Sequence, residues 1–319
     1  MFVGRHFELE QLNNAYNSGD FECVAICGRR HMGKTSLISE FIKNKDAIYF
    51  SARELTDKYN LEAFTKAVAE HFAISVDGIR TWEDAFNAAF RRSTESRLIL
   101  VLDNYTDACL TNKELSSIIA GAISKNRKNS KMLLILCCNH MSAFEREVTG
   151  KNSVLNEYLT NSVLIKGLPF EDAFAFMNGY GADDQKKLYE CIGGCPLYLS
   201  LIDKNKTVDE NINDLFLKRN GFIYNDIAMA LQKELIGPAV YNSLLRAVAQ
   251  GKQKAKEILE ETGEERGKAH KYLNVLISMG ILYREVPNGE DPLVSREGTY
   301  HFEDNAYRFW YRYVLDNQK

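Results

Sequence analysis

The sequence predicts an α/β fold: a parallel-sheet core, a purely helical stretch after it, and a winged-helix pattern towards the C-terminus. Three features point to it. The first 168 residues alternate short apolar runs with longer amphipathic stretches. A glycine-containing turn joins the first of those runs directly to a helical pattern. Beyond Gly167 the strand signals give way to helices and a single hairpin.

Five runs read as strands, at residues 23–27, 47–50, 98–102, 132–138 and 163–165. Each is continuously apolar rather than alternating, the pattern of parallel strands covered on both faces. Residues 169–236 read as short helices broken at Gly193-Gly194-Cys195-Pro196. Three helices are then expected at 239–249, 254–261 and 265–279, the last carrying Tyr272, Val275, Leu276 and Met279 on one apolar stripe. Gly280 ends that helix, and runs 281–286 and 300–302 flank a loop rich in Pro, Gly, Asn, Asp and Glu, as in a hairpin. The expected segments are therefore 1–168, 169–236, 237–304 and an aromatic tail, 305–319.

Composition narrows the function classes. The 319 residues are 45% hydrophobic and 26% charged, enough to bury sizeable cores without disulfides or structural metals. A formal net charge of −3 excludes a whole-surface footprint for nucleic acid and leaves only local basic faces open. No apolar run approaches the roughly 20 residues of a membrane span, so no membrane contact is expected. The opening Met1-Phe2-Val3-Gly4-Arg5-His6 lacks the basic-then-apolar order of a secretion signal. Of the seven cysteines, Cys27, Cys137 and Cys138 sit in apolar runs and read as buried thiols of a reducing cytoplasm. Neither Cys191/Cys195 nor Cys137/Cys138 has a second Cys/His pair at zinc spacing.

The chemistry concentrates in residues 28–35, Gly28-Arg29-Arg30-His31-Met32-Gly33-Lys34-Thr35, a full G-x-x-x-x-G-K-T between an apolar run and a helix over 36–42. Glycines let successive backbone N–H groups turn towards phosphate oxygens, and the helix N-terminus adds its positive end. Lys34 is expected on the β- and γ-phosphates and the Thr35 hydroxyl on Mg²⁺; with Ser36, these residues form the expected ATP/ADP site. The run 98–102 delivers Asp103, the expected second Mg²⁺ residue. Residues 1–168 are therefore expected to form a P-loop NTPase core.

With these motifs in place the chain resembles the archaeal and bacterial ATPases of the STAND branch of AAA-like P-loop proteins. Phe2-Val3-Gly4-Arg5 with Glu8-Leu9 and Leu12 is similar to the family's opening motif, and Gly28-Arg29-Arg30 with Gly33-Lys34-Thr35 to its phosphate loop. Gly193-Gly194-Cys195-Pro196-Leu197-Tyr198-Leu199 resembles the Gly-Gly-x-Pro-x-Tyr-Leu segment of its helical lid, and Tyr307–Tyr313 the aromatic block after its winged helix. The resemblance implies that Val3, Gly4 and Arg5 lie near the nucleotide base and that Pro196 reports base occupancy to the lid. It implies that ATP and Mg²⁺ set the position of the winged helix.

Departures from the family pattern carry as much information. Where the family has Asp-Glu, its glutamate activating the attacking water, this chain has Asp103-Asn104. Where it has Gly-Ser-Ser, this chain has Cys138-Asn139-His140, and Asn139 becomes the expected polar sensor of the γ-phosphate. The arginine of its Pro-Leu-Tyr-Gly-Arg stretch is replaced by Tyr158, with Thr106, Asp107 and Arg146 as the residues that could substitute for the lost groups. The leading expectation is a nucleotide-dependent switch with weak or absent hydrolysis. The alternatives are an active ATPase working on DNA and a winged-helix transcriptional regulator with vestigial nucleotide binding. Helix 265–279 opens Glu264-Glu265-Arg266-Gly267-Lys268-Ala269-His270-Lys271, mixed in charge, so a protein partner or self-association through the winged helix is favoured over DNA.

Overall fold

The computed structural model describes residues 2–235, 237–290, 295 and 297–317. The expected segment boundary at 236, residues 291–294 and 296 of the hairpin loop, and residues 318–319 of the tail lie outside the described residues. The chain divides into two compact units, Met1–Ile165 and Lys166–Lys319.

The first unit is built on five parallel strands, β1 (Glu22–Cys27), β2 (Ala47–Ser51), β3 (Leu98–Asp103), β4 (Met132–Cys138) and β5 (Asn161–Leu164), in the order β2-β3-β4-β1-β5. All five expected strands are present, the last shifted towards the N-terminus of the expected 163–165 run. Its pairing explains the shift: Asn161 to Leu164 run alongside Val24 to Cys27, so backbone register rather than apolarity sets the span. β3 and β4 are buried throughout, whereas the edge strands β2 and β5 are partly exposed. On one face, α3 (Asp57–Phe72) and α4 (Trp82–Ser93) press a stack of rings onto the sheet: Phe64 lies 5.3 Å from Trp82 and 4.9 Å from Phe86. Asp57 fixes the indole by accepting its N–H at 2.9 Å, and Thr81 with Asp84 closes a capping box at the start of α4. Because every strand runs the same way, the ends of β1, β2, β3 and β4 all reach one edge of the sheet, where ligands of such folds bind.

The second unit opens with helices, among them Ala182–Ile192, Pro196–Ser200 and Phe222–Glu234. It continues with Pro238–Ala249, Ala255–Thr262 and Arg266–Ser278, then the antiparallel pair β6 (Leu282–Glu285) and β7 (Thr299–Phe302), which is the expected three-helix-plus-hairpin order. The buried stripe of the third of those helices is corrected, however. Ala269, Leu273 and Leu276 face inward with Met279, while Tyr272 and Val275 flank them half-buried. The true stripe starts one turn earlier and is centred on Leu273, a rotation that the local pattern leaves ambiguous because Leu273, Val275, Leu276 and Ile277 are all apolar.

The Gly193-Gly194 break is a packing device. A Cβ on Gly194 would overlap the Leu168 carbonyl, and that close approach lets Leu168 N–H donate to the Gly194 carbonyl at 2.7 Å. Gly193 comes against Asp304, which caps the aromatic block by accepting from Ala306 N–H at 2.8 Å. Within that block Tyr307, Trp310 and Tyr311 are buried, Trp310 donating to the Tyr224 carbonyl at 3.1 Å and Tyr311 to Asn242 at 2.6 Å. Half of the block is thus core, and the rest turns outward. Asp304→Ala is expected to lower unfolding stability by about 0.5–2 kcal/mol through loss of the cap, measurable by urea unfolding.

Candidate nucleotide site

Elementary backbone chemistry positions the loop. β1 ends at Cys27, the chain turns through Gly28, and α2 (Lys34–Ile42) begins immediately after Gly33, two residues before the expected start. The helix starts earlier because Gly33 accepts a left-handed N-cap conformation, φ 85°. Among the described residues no side chain caps α2, so its first N–H groups open onto the loop, the arrangement that receives an anion. Gly28 has φ 155°, and a Cβ there would run into the Ile165 carbonyl of the strand segment beside it. Gly28→Ala is therefore expected to lower unfolding stability by about 1–3 kcal/mol and to weaken nucleotide binding in parallel, read by thermal unfolding and by titration.

Lys34 is 4% exposed, and its ammonium donates to the carbonyls of Gly28 at 2.5 Å and Arg29 at 2.7 Å. The loop thus holds a positive charge at its centre, bent back towards its own backbone. Arg5, in the left-handed region at φ 64° and 7% exposed, donates to Glu8 at 2.9 Å and to the Met32 carbonyl at 2.9 Å. That bond ties the opening segment to the phosphate loop through Arg5. His31 and Ser36 are exposed on the loop and the first turn, while Arg29 and Met32 are buried. Pro196 belongs to the second unit, at the first turn of the helix Pro196–Ser200.

Across the sheet edge, Asp103 is 3% exposed and fully engaged. Its Oδ2 accepts from the Thr35 hydroxyl at 3.0 Å and from the Tyr49 hydroxyl at 2.6 Å, and its Oδ1 from Asn104 N–H at 2.9 Å. A hydroxyl and a carboxylate side by side are hard oxygen donors of the kind Mg²⁺ takes. Thr35 and Asp103 fit that ion, and they would hold it with its remaining waters. Burial, reinforced by the hydrogen bond to Asp103, pushes the Tyr49 phenol well above its ordinary range, so it stays a donor.

Asn104 sits in the left-handed region at φ 52°, as the N-cap of α5 (Tyr105–Thr111). Its amide nitrogen donates to Ser51 Oγ at 3.1 Å, and its amide oxygen accepts from the Asn139 side chain. The two expected residues, Asn104 and Asn139, are therefore brought together at the ends of β3 and β4. Beyond them lies a polar cluster. His140 is 3.8 Å from Asp107 and 3.5 Å from Arg30, and Arg30 is 3.6 Å from Glu54. Burial, with Glu54 nearby, raises the Asp107 carboxyl above its usual range; burial and Arg30 lower His140. The other substitutes are engaged elsewhere: Thr106 contacts the Cys138 thiol at 3.1 Å, and Arg146 pairs with Glu147 at 2.8 Å. Tyr158 packs under the Arg127 guanidinium, 5.2 Å from ring centre.

Tyr49, Ser51 and Glu54 are not evident as site residues from the sequence. All three come from β2 or the turn after it, and their relevance depends on β2 lying beside β3 with Ser51 opposite Asp103. The faint signal is the polar tips of Tyr49 and Ser51, two apart on one face of an otherwise apolar run.

A phosphate loop after the first strand, an acid at the end of β3, the parallel strand on the far side of β4 from it, and a hydroxyl hydrogen-bonded to that acid define a P-loop ATPase domain. Residues 2–202 match the family described as an ATPase domain predominantly from Archaea, ATPase_2, and the chain belongs to it. An uncharacterized protein of Methanocaldococcus jannaschii is 27% identical over 99% of this chain and 70% of its own length. A shorter uncharacterized ATP-binding protein of the same organism is 44% identical over 45 residues, covering 14% of this chain and 76% of its own. In fold, the chain is similar to the Walker-type ATPase of Pyrococcus abyssi, with a TM-score of 0.71 at 15% identity, over 98% of this chain and 96% of that one. It is also similar to the Aeropyrum pernix ORC2 protein, solved in ADPNP–ADP complexes, with a TM-score of 0.58 at 11% identity, over 97% and 92%. Among the described residues, no helix is long and apolar enough to cross a membrane. Nucleotide binding is what such a domain is expected to do.

Proposed function

We propose that this protein is an ATP-dependent switch of the STAND type, which binds ATP with Mg²⁺ and hydrolyses it slowly or not at all. The observation that carries the reading is Asn104. It occupies the position where the resembling family places its water-activating glutamate, and both ends of its amide are already held, by Ser51 and Asn139. A carboxamide positions a water but takes no proton from it, so the general-base contribution, worth about 10²–10⁴ in rate, is lost. The remaining parts of the site suit binding: Lys34, the Gly28–Thr35 backbone and α2 towards the phosphates, Thr35 and Asp103 towards the ion. ATP then acts as a ligand whose presence stabilises one state of the protein, by about 2.7 kcal/mol at a hundredfold excess over Kd.

Hydrogen exchange of the full chain in ATP·Mg²⁺, in ADP·Mg²⁺ and without nucleotide tests the switch. A switch gives protection that differs between ATP and ADP and extends into residues 166–319. Protection confined to the phosphate loop and identical for both nucleotides would sink it.

A second reading, an active ATPase, is favoured by Asp107. Buried beside His140, with its carboxyl raised and its backbone N–H on the Asn104 carbonyl at 2.8 Å, it is an acid placed to take a proton near Asn104. If the wild type turns ATP over, Asp107→Asn is expected to abolish that turnover while leaving ATP affinity within about threefold.

A further inference from the structure

A cavity of about 900 Å³ opens in the second unit, walled by Leu217, Tyr224, Phe309 and Tyr313 and bordered by Arg308 and Arg312. A second cavity, of about 470 Å³, is walled by Tyr283, His301 and Phe302 of the hairpin and is bordered by the same two arginines. Arg308 and Arg312 lie four residues apart on the helical segment that follows β7, so both guanidiniums stand on one side of it, between two aromatic pockets.

The charge at this divider is uncompensated. Arg308 donates to the Glu190 carbonyl at 3.2 Å, and Arg312 lies 5.4 Å from the centre of the Tyr313 ring. Among the described residues neither guanidinium pairs with a carboxylate. Other cations of this unit do: Lys206 and Lys218 share Asp214, Arg246 takes Asp316 and Lys166 takes Glu303. Glu190 is the one acid among the described residues lining the two cavities, and both guanidiniums are exposed. The rings are accessible too. Tyr313 is 48% and Tyr283 40% exposed, Tyr283 lies parallel to His301 at 5.3 Å, and Phe309 supports Tyr313 at 5.1 Å.

From this arrangement we infer that the divided cleft is a binding site for single-stranded nucleic acid. The phosphodiester backbone would cross the arginine divider, with one base against the Tyr313–Phe309 wall and the next against the Tyr283–His301 wall. A row of cations flanked by ring faces is what recognition of an unpaired strand uses, since every base has a π-face and every linkage a phosphate. Each cavity accommodates a base, whereas a duplex keeps its bases stacked inside and has nothing to insert. An acidic peptide would satisfy the arginines but leave two separate flat walls without flat partners.

The test is fluorescence anisotropy of the full chain with a labelled 12-nucleotide oligo(dT), with the corresponding dA·dT duplex, and with a poly-glutamate peptide of similar length as competitor, at several salt concentrations. Wild type is expected to bind the single strand at least tenfold more tightly than the duplex. Arg308→Gln with Arg312→Gln is expected to weaken that binding at least tenfold and to flatten the salt slope by about 0.7 for each phosphate no longer neutralised. Tyr283→Ala with Tyr313→Ala removes both stacking walls and is expected to weaken it at least about 30-fold with the slope unchanged, because stacking releases no counterions. All four side chains are exposed, and unfolding midpoints within a few degrees of wild type confirm that the variants fold. Equal affinity for duplex, binding indifferent to both pairs of substitutions, or arginine-dependent binding of poly-glutamate without binding of oligo(dT) would overturn the inference.

Discussion

Asn104→Glu is expected to raise the ATP turnover rate by about 10²–10⁴-fold. The geometry prepares the position for a carboxylate. Ser51 Oγ, 3.1 Å from the Asn104 amide nitrogen, can turn its hydroxyl to donate, and Asn139 already donates to the Asn104 oxygen. A carboxylate there would accept both bonds and keep lone pairs for a water. Two costs accompany the gain. Asn104 has φ 52°, a conformation that asparagine tolerates and glutamate does not favour, so unfolding stability should fall by about 1–2 kcal/mol. The added carboxylate also comes close to Asp103, so affinity for ATP without Mg²⁺ should fall more than affinity with it. Pre-steady-state and steady-state phosphate release, with unfolding of the same variant, separate the two effects. A variant that binds ATP and folds but turns over no faster than wild type would show that position 104 does not govern the step.

Lys34→Ala is expected to raise Kd for ATP·Mg²⁺ by about 10–150-fold, the range of one charge-assisted hydrogen-bond set. The ammonium is buried at the centre of the loop on the carbonyls of Gly28 and Arg29, so a phosphate joining it meets a donor already held in place. Removing it also leaves those two carbonyls without that partner, and a modest loss of stability should accompany the loss of affinity. Calorimetric titration measures the first and chemical unfolding the second. Lys34→Arg should not restore wild-type affinity, because a planar fork cannot sit on both carbonyls where a compact ammonium does. An affinity unchanged in Lys34→Ala would mean that the nucleotide is held elsewhere.

What is legible in the sequence follows from locality. The strands of the first unit are legible because each is a short continuous apolar run, and parallel strands buried on both faces have no other way to be written. The loop 28–35 is legible because its residues are consecutive and its glycines answer a backbone demand that the Ile165 carbonyl makes visible at Gly28. Asp103, Asn104 and Asn139 can be placed because each lies at the end of a recognisable strand. Tyr49, Ser51 and Glu54 cannot, since only the strand order puts β2 beside β3. The apolar stripe of Arg266–Ser278 is displaced by part of a turn for a similar reason: with consecutive apolar residues present, tertiary packing selects the face. Arg308 and Arg312 belong to a block that resembles core-packing sequence, and its buried half, Tyr307, Trp310 and Tyr311, is core. The outward half acquires meaning only when the hairpin closes against it.

If Asn104 has replaced the catalytic base, the protein holds ATP without hydrolysing it at an enzyme's pace. Wild-type ATP turnover, measured beside an ATP-binding titration on the same preparation with Lys34→Ala as the blank, decides the matter. Lys34-dependent binding is expected, with turnover far below the usual enzyme range of about 1–10³ s⁻¹. Lys34-dependent turnover within that range would contradict the switch and make the protein a working ATPase, with Asp107 the first residue to replace.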